Sequence, residues 1–219
     1  MSRDFTVSEA LQARRATRHF DAGRPLESDK LARILELATL APSGYNLQPW
    51  RFLVVRDPRN REKLRQCAFG QAKIAEAAAV LIVLGYHHPD ETHLKAIVGE
   101  MVRRGILDED QASAMEGRAR SSMKRVTDPE LWATRSSMLA AMSLMLAAES
   151  LGVQSAPMEG FEDEKVRRAF GIPDDHAICC LICLGFARDS QPFPGRLGLA
   201  DVCFGEHFGR ALDVEGTTS

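Results

Sequence analysis

From Pro129 to Gly152 the sequence reads PELWATRSSMLAAMSLMLAAESLG, one continuous helical pattern with proline near its start and glycine as its stop. From Met138 to Ala148 it is apolar on almost every face. A helix without a polar face must be covered on all sides. Its apolar run is interrupted by Ser143 and falls well short of the roughly 18 residues that a membrane span requires, so it reads as a buried helix. Cover can come from the interior of one large domain, or half from the helix's own chain and half from a second copy. For 219 residues the second is favoured, with complete burial in one monomer as the alternative.

The remaining segments supply the elements that cover it. Ser8 is placed to cap a helix running to about Arg15, and Ser28 to cap another whose stripe is Leu31, Ile34, Leu35, Leu37 and Ala38. WRFLVV reads as a strand, DPRNREKLRQCA as a helix entered through Pro58, and AVLIVLGY as a strand buried on both faces. Residues 92 to 127 read as polar helices broken at Gly99, Gly105 and Gly117. VQSAPM, EDEKVRRAFG and HAICCLICLGFA follow as strand, helix and strand. The pattern is α+β with few strands and much helix, in a single domain across 1–219 without repeat or linker.

Composition narrows the partners. The formal charge of -2 gives no concentrated basic surface, so neither nucleic acid nor an anionic membrane is expected. Five cysteines, an odd number, and an N-terminus MSRDFTVSEALQARR without an apolar core point to a reducing cytoplasm.

Four segments could carry chemistry. In ARRATRHF, Arg14, Arg15 and Arg18 stand at a helix end and in the turn after it, either as forks for a phosphate or as solvated cations complementing the helix dipole. APSGYNLQPW combines the restraint of Pro42 and Pro49, the freedom of Gly44 and the hydrogen-bonding side chains of Ser43 and Asn46. That equipment grips a heteroaromatic or a polyol chain, or builds an elaborate loop around Trp50. GVQSAPMEGF leaves a strand through Pro157 and turns at Gly160, which can leave the N–H groups of Met158, Glu159 and Gly160 unpaired for a ligand edge. In PFPGRLGLADV, Arg196 is a second phosphate candidate if the C-terminal segment folds back.

Other chemistries find less support. His87, His88 and His93 with Asp90 and Glu91 read as a solvated loop rather than a metal site, and CCLIC as alternating core cysteines. No glycine-rich nucleotide motif occurs, and no oxyanion loop adjoins a nucleophile.

The four segments, in this order and spacing, resemble the FMN-dependent nitroreductase superfamily, in its NADH oxidase and nitroreductase branch. The likeness is carried by APSGYNLQPWRFLVVRDP, CAFGQAKIAEAAAVLIVL and VQSAPMEGF. It implies a central, mainly antiparallel sheet flanked by helices and an intertwined homodimer with FMN at the interface. It further implies an enzyme that takes electrons from NADH or NADPH and reduces nitroaromatics, quinones or related small electrophilic acceptors by a two-electron ping-pong scheme. A carrier or sensor without turnover, or a specialised enone reductase or dehalogenase, is the alternative. By the same resemblance Arg14, Arg15, Arg18 and Arg196 hold the phosphate and the flavin's polar edge. Pro42, Ser43, Gly44 and Asn46 reach it from the other subunit, and Gln71 and Lys73 lie near the ribityl chain and pyrimidine edge. Pro157, Met158, Glu159 and Gly160 face the ring by their backbone, with the Glu159 N–H towards N5, so the chemistry centres on the flavin and needs no metal. Two positions depart from the family pattern: Ala16 stands where a serine is usual, and Pro194 where some members carry a base.

Overall fold

The computed structural model describes residues 5–213. The two ends of the expected 1–219 domain, and the first four residues of the N-terminal segment read as leaderless, lie outside the described residues. In chain order the elements are α1 (Val7–Ala13), α2 (Ser28–Ala38), β1 (Trp50–Val55), α3 (Pro58–Cys67), α4 (Ala72–Glu76), β2 (Ala79–Tyr86), α5 (Pro89–Thr92) and α6 (Leu94–Arg103). They continue with α7 (Glu109–Met123), α8 (Pro129–Ser150), β3 (Gln154–Met158), α9 (Asp163–Phe170), β4 (His176–Gly185) and α10 (Leu199–Val202).

The four strands form one sheet in the order β1-β2-β4-β3, with every neighbour antiparallel. This is the α+β sheet the sequence led us to expect. β2 is apolar at every second residue on both faces, which dictates two covering layers. Val80, Ile82 and Leu84 point into a core closed by Leu64 and Cys67 of α3, Ile74 of α4 and Val166 of α9. Ala79, Leu81 and Val83 point into the opposite core, closed by Leu31 and Ile34 of α2 and Leu144 and Met145 of α8. The β2–β4 register slips between Val83, opposite Cys180, and Leu84, opposite Ile178, so Cys179 is the extra residue of a bulge. The slip breaks the alternation proposed for CCLIC, putting both Ile178 and Leu181 on one face.

α8 lies across the sheet with small residues inward, Ala133, Ala140, Ala141, Ala147 and Ala148 all being buried. Its other stripe is left partly open by the described residues: Leu139 is 50% exposed, and Met142 and Leu146 are half-buried. Close approach to β2 requires Gly85, where a Cβ would come within 3.0 Å of the Ala133 carbonyl carbon. Beside it the Ser137 hydroxyl donates to the Leu84 carbonyl at 3.2 Å, using a polar group that would otherwise be buried unpaired.

Three local readings need correction. α1 is capped by Thr6 rather than Ser8, because Thr6 and Glu9 form a reciprocal capping box, whereas Ser8 has Leu11 three residues on. The helix accordingly ends at Ala13 and frees Arg15 for the following turn. Ser28 is the first residue of α2 and does not cap it; its hydroxyl accepts from Arg56 at 3.0 Å. Of the three glycines expected to break residues 92 to 127, only Gly105 does so, at φ 68°, whereas Gly99 and Gly117 lie inside α6 and α7.

Gly85→Ala should destabilise the protein by about 1–3 kcal/mol through forced separation of α8 from β2, read by urea denaturation. The same substitution at Gly117, where a Cβ meets nothing within 4 Å, should be neutral or slightly stabilising in that assay.

Candidate functional site

After α1 the chain turns along β3, where Ala16 makes a parallel bridge to Ser155 and the Thr17 N–H donates to the Ser155 carbonyl at 3.1 Å. The turn carries Arg15 to the C-terminal segment. Its guanidinium lies 4.8 Å from the centre of the Phe193 ring, and that of Arg196 lies 5.2 Å from the same ring. Two cations from opposite ends of the sequence thus share one aromatic face-binding partner. Arg15 also donates to the carbonyls of Gln12 and Arg14 at 2.5 and 2.9 Å, while exposed Arg196 donates to the Gly195 carbonyl at 2.6 Å. Arg18 is exposed and lines, with Arg15, Ala16, Pro192 and Pro194, a cleft of about 220 Å³.

Behind the arginines stands Glu149, in the last turn of α8 and 6% exposed. Its Oε2, Arg14 Nη1 and Arg15 Nε are all buried without a hydrogen-bond partner. Burial pushes the Glu149 carboxyl above the ordinary carboxylate range, and the nearby Arg14 and Arg15 partly oppose the rise. A cluster with two cations, one buried anion and orphaned donors is chemically unfinished. It has capacity for an anionic ligand with several acceptor oxygens.

β3 leads from that bridge to the third segment. Met158 is its last ladder residue, opposite Leu181. Past it no hydrogen bond reaches the Glu159 or Gly160 N–H among the described residues, and the Gln71 side chain donates to the Gly160 carbonyl at 2.8 Å. Gln71 follows Phe69 and Gly70, both left-handed at φ 53° and 71°. Lys73, on α4, is half-buried and close enough to the buried Cys183 thiol to counter its rise in pKa.

The structure gathers Arg14, Arg15, Ala16, Arg18 and Arg196 around Glu149 and Phe193 beside the start of β3, and joins Gln71 to Gly160 just past its end, with Lys73 near Cys183 of β4. It does not bring Pro42, Ser43, Gly44 and Asn46 to them. Those residues lead into β1, the sheet edge opposite β3, with two strands between and a separation of roughly 14 Å. Their turn is built differently from expectation. Gly44 has no need of glycine's freedom, a Cβ there lying 3.9 Å from Trp132, whereas Tyr45, Asn46 and Gln48 adopt the left-handed region at φ 52°, 56° and 48°. Such conformations cost about 1 kcal/mol or more each and persist only where surroundings impose them. Here the Ser43 hydroxyl accepts from the Gln48 N–H at 2.9 Å, and Leu47 is buried against Leu94, Val98 and Ala112.

Sequence reasoning missed Glu149 and Phe193. A lone acid closing an otherwise apolar run was the available signal for the first; an aromatic between two prolines was that for the second. The histidine segment is not a solvated loop. α5 occupies Pro89–Thr92, the His87 Nε2 is buried, and the rings of His88, His93 and His176 gather about Tyr86. The thiols of Cys180 and Cys183 are pushed up to about 12 by burial, which leaves them protonated and inert at neutral pH. No described helix is long and apolar enough to cross a membrane.

The model of the Nitroreductase family matches residues 11–186, and the chain belongs to that family. A Thermus thermophilus protein named NADH dehydrogenase is 38% identical over 178 residues, covering 81% of this chain and 85% of its own. The candidate NAD(P)H nitroreductase MhqN of Bacillus subtilis is 34% identical, over 83% and 88% of the two chains. Among solved structures, a candidate nitroreductase of Exiguobacterium sibiricum in complex with FMN superposes with a TM-score of 0.86 at 27% identity, covering 94% of this chain and 100% of that one.

Because the raised pKa of Glu149 means that burial penalises its charge more than the arginines reward it, its contribution to stability is present below the ordinary glutamate value of 4.5 and is lost as pH rises through the folded value. Glu149→Gln should therefore raise the melting temperature of the ligand-free protein at pH 7.5, with the gain vanishing towards pH 4 in a calorimetric series.

Proposed function

We propose that this chain is a homodimeric FMN-dependent oxidoreductase that takes electrons from NADH or NADPH and passes them to nitroaromatics, quinones or related small electrophilic acceptors. The observation that carries the reading is the meeting of Arg15 and Arg196 over Phe193, beside buried guanidinium nitrogens of Arg14 and Arg15 that lack partners. A phosphate monoester satisfies that set, since it offers about two negative charges and three acceptor oxygens. The FMN complex of the Exiguobacterium sibiricum relative supports the choice of ligand.

Bound there, FMN would supply two-electron exchange in two half-reactions, donor first and acceptor second. Arg14, Arg15, Arg18 and Arg196 would bind its phosphate and polar edge. Arg15 and Lys73 would stabilise negative charge developing on the ring system, because cationic groups already in place need no reorganisation. Gln71 would orient the polyol chain and, through the Gly160 carbonyl, hold the Pro157–Gly160 backbone with its free N–H groups towards the ring. Ala16 offers no hydroxyl, and the neighbouring Ser155 hydroxyl is itself buried and unpartnered.

Two features support a second copy. Pro42, Ser43, Gly44 and Asn46 lead into β1, the sheet edge away from β3, and in a dimer would reach this cluster from the partner subunit. Leu139, Met142 and Leu146 of α8 and exposed Val7 and Leu11 of α1 supply an apolar face for it. Exposed Leu197, Leu199 and Val202 of the C-terminal segment extend that face.

The protein should purify yellow with one FMN per chain and sediment at twice the 24.2 kDa chain mass. Under anaerobic NADH or NADPH the flavin band should bleach, and a quinone or nitroaromatic should restore it. A colourless protein that cannot be reconstituted sinks the reading, and a yellow one that neither nicotinamide bleaches is a carrier. Arg196→Ala should weaken FMN binding on the order of tenfold or more, the cost of one charged hydrogen bond. Full flavin retention at nanomolar protein would remove Arg196 from the phosphate site.

A further inference from the structure

We propose that His93 and Arg51 are positioning residues, a hydrogen-bond relay that holds the left-handed turn 44–48 in its cofactor-facing shape and that only the neutral imidazole can carry. The proposal rests on the FMN reading, because the turn matters to function only as the part of the site offered to the partner subunit.

The relay runs from strand to turn. Arg51 of β1 places Nη1 against the Trp50 carbonyl at 2.7 Å, and its Nη2 bonds to His93 Nε2. His93, between α5 and α6, bonds through Nδ1 to the Leu47 carbonyl at 3.2 Å. A guanidinium has donors and no acceptor, so His93 Nε2 must be the acceptor in this pair. The ring proton therefore sits on Nδ1 and donates to Leu47, and both contacts are satisfied by one neutral tautomer. Leu47 lies between Asn46 and Gln48, two of the three left-handed residues, so the relay acts on backbone that would relax if released.

Protonation would undo it. A proton on Nε2 replaces the acceptor with a donor and sets an imidazolium directly against a guanidinium. Apart from the Leu47 carbonyl, no hydrogen-bonded neighbour among the described residues favours that charge. Arg51 faces His93 from β1, and from β2 the Tyr86 ring lies 5.7 Å away with the Arg51 guanidinium 5.6 Å from its centre. Beyond Tyr86 are His176, already paired with Asp175 at 2.6 Å, and His88, 4.0 Å from Glu91. No carboxylate reaches His93 itself among the described residues. Burial first, and Arg51 second, hold His93 below the ordinary histidine value of 6.5, with the Leu47 carbonyl opposing them. A cavity of about 560 Å³ lined by Gln48, Trp50, Arg51 and His93 gives water, and hence protons, access to the ring. With the folded value depressed, the relay is intact above pH 6.5 and its stabilisation is lost as pH falls through the folded value.

His93→Gln separates this from general acid sensitivity, since its amide can donate to Leu47 and its oxygen accept from Arg51 without titrating. FMN affinity is measured by flavin fluorescence quenching for both proteins in a series from pH 7.5 downward through the His93 midpoint found by nitrogen NMR. The FMN phosphate, whose second pKa is about 6, titrates equally in both and cancels. At pH 7.5 the two should agree within about twofold, and below that midpoint the wild type should lose on the order of threefold more affinity than the variant. Equal losses overturn the proposal. A variant that fails to fold leaves the wild type to decide. Its His93 ring should show the Nδ1–H tautomer by nitrogen NMR and titrate below pH 6.5, with the Leu47 and Gln48 amides shifting at the same midpoint. An Nε2–H tautomer, a midpoint at or above 6.5, or unmoved amides refute the relay. If neither protein binds FMN at any pH, the cofactor reading falls, and the relay stands or falls on that titration alone.

Discussion

The contact between α8 and the buried centre of the sheet is the constraint on which the other features depend. β2 and β4 are apolar on both faces, so the sheet needs a helical layer on each side, and α8 is the helix that seals one of them. Its alanines permit the close approach that Gly85 completes. Because α8 is 22 residues long and runs straight into β3, its end fixes where Glu149 sits and where the β3 segment leaves the sheet. The arginine cluster is therefore placed by core packing rather than by its own turn, which is short and only partly buried.

The two halves of the candidate site answer to different physics. The Arg15–Arg196–Phe193 group is electrostatic: exposed Arg196 and half-buried Arg15 share one ring, beside orphaned nitrogens of Arg14 and Arg15 and a buried Glu149 carboxyl displaced from its usual range. The Pro42–Gln48 turn is conformational, with three non-glycine residues in left-handed geometry, the Ser43 hydroxyl accepting from the Gln48 N–H and His93 bonding to the Leu47 carbonyl. A sheet four strands wide keeps the halves apart within a protomer. Pairing two protomers would supply one half to the other, and the uncovered stripe of α8 is the apolar surface available for it.

Much of this was legible in the order of residues. Strong periodicity carried β2, α8 and the α+β class, because burial on both faces leaves a pattern that no turn residue can disguise, and the antiparallel order of the sheet came from the family resemblance. Proline and glycine marked α3 and the end of α8 correctly. Local signals failed where two candidates competed within a few residues: Thr6 displaced Ser8 because it alone had an acid at the right spacing, and Ser28 was drawn to Arg56, a contact with no local trace. The left-handed turn was placed correctly but assigned to the wrong residue, since Gly44 is the residue that tolerates such geometry and Tyr45, Asn46 and Gln48 are the ones on which the packing of Leu47 imposes it. Glu149 and the Arg51–His93 pair were invisible because each depends on contacts between residues far apart in sequence. The assignment of Arg14, Arg15, Arg18, Gln71, Lys73, Pro157–Gly160 and Arg196 to one site came from family likeness; the chain's own contacts join Arg15 to Arg196 through Phe193 and Gln71 to Gly160.

Phe193 bears on speed as well as affinity. Two guanidiniums gathered to receive an anion would ordinarily repel each other and splay until it arrived, and the ordering of a proline-flanked tail would then be charged against every encounter. With both cations resting on the negative faces of one phenyl ring, that repulsion is offset beforehand and the tail is already in register. At the proposed phosphate site, docking of the anion would then need no coupled ordering of the tail, and its association rate would be set by diffusion and electrostatic steering rather than by loop closure.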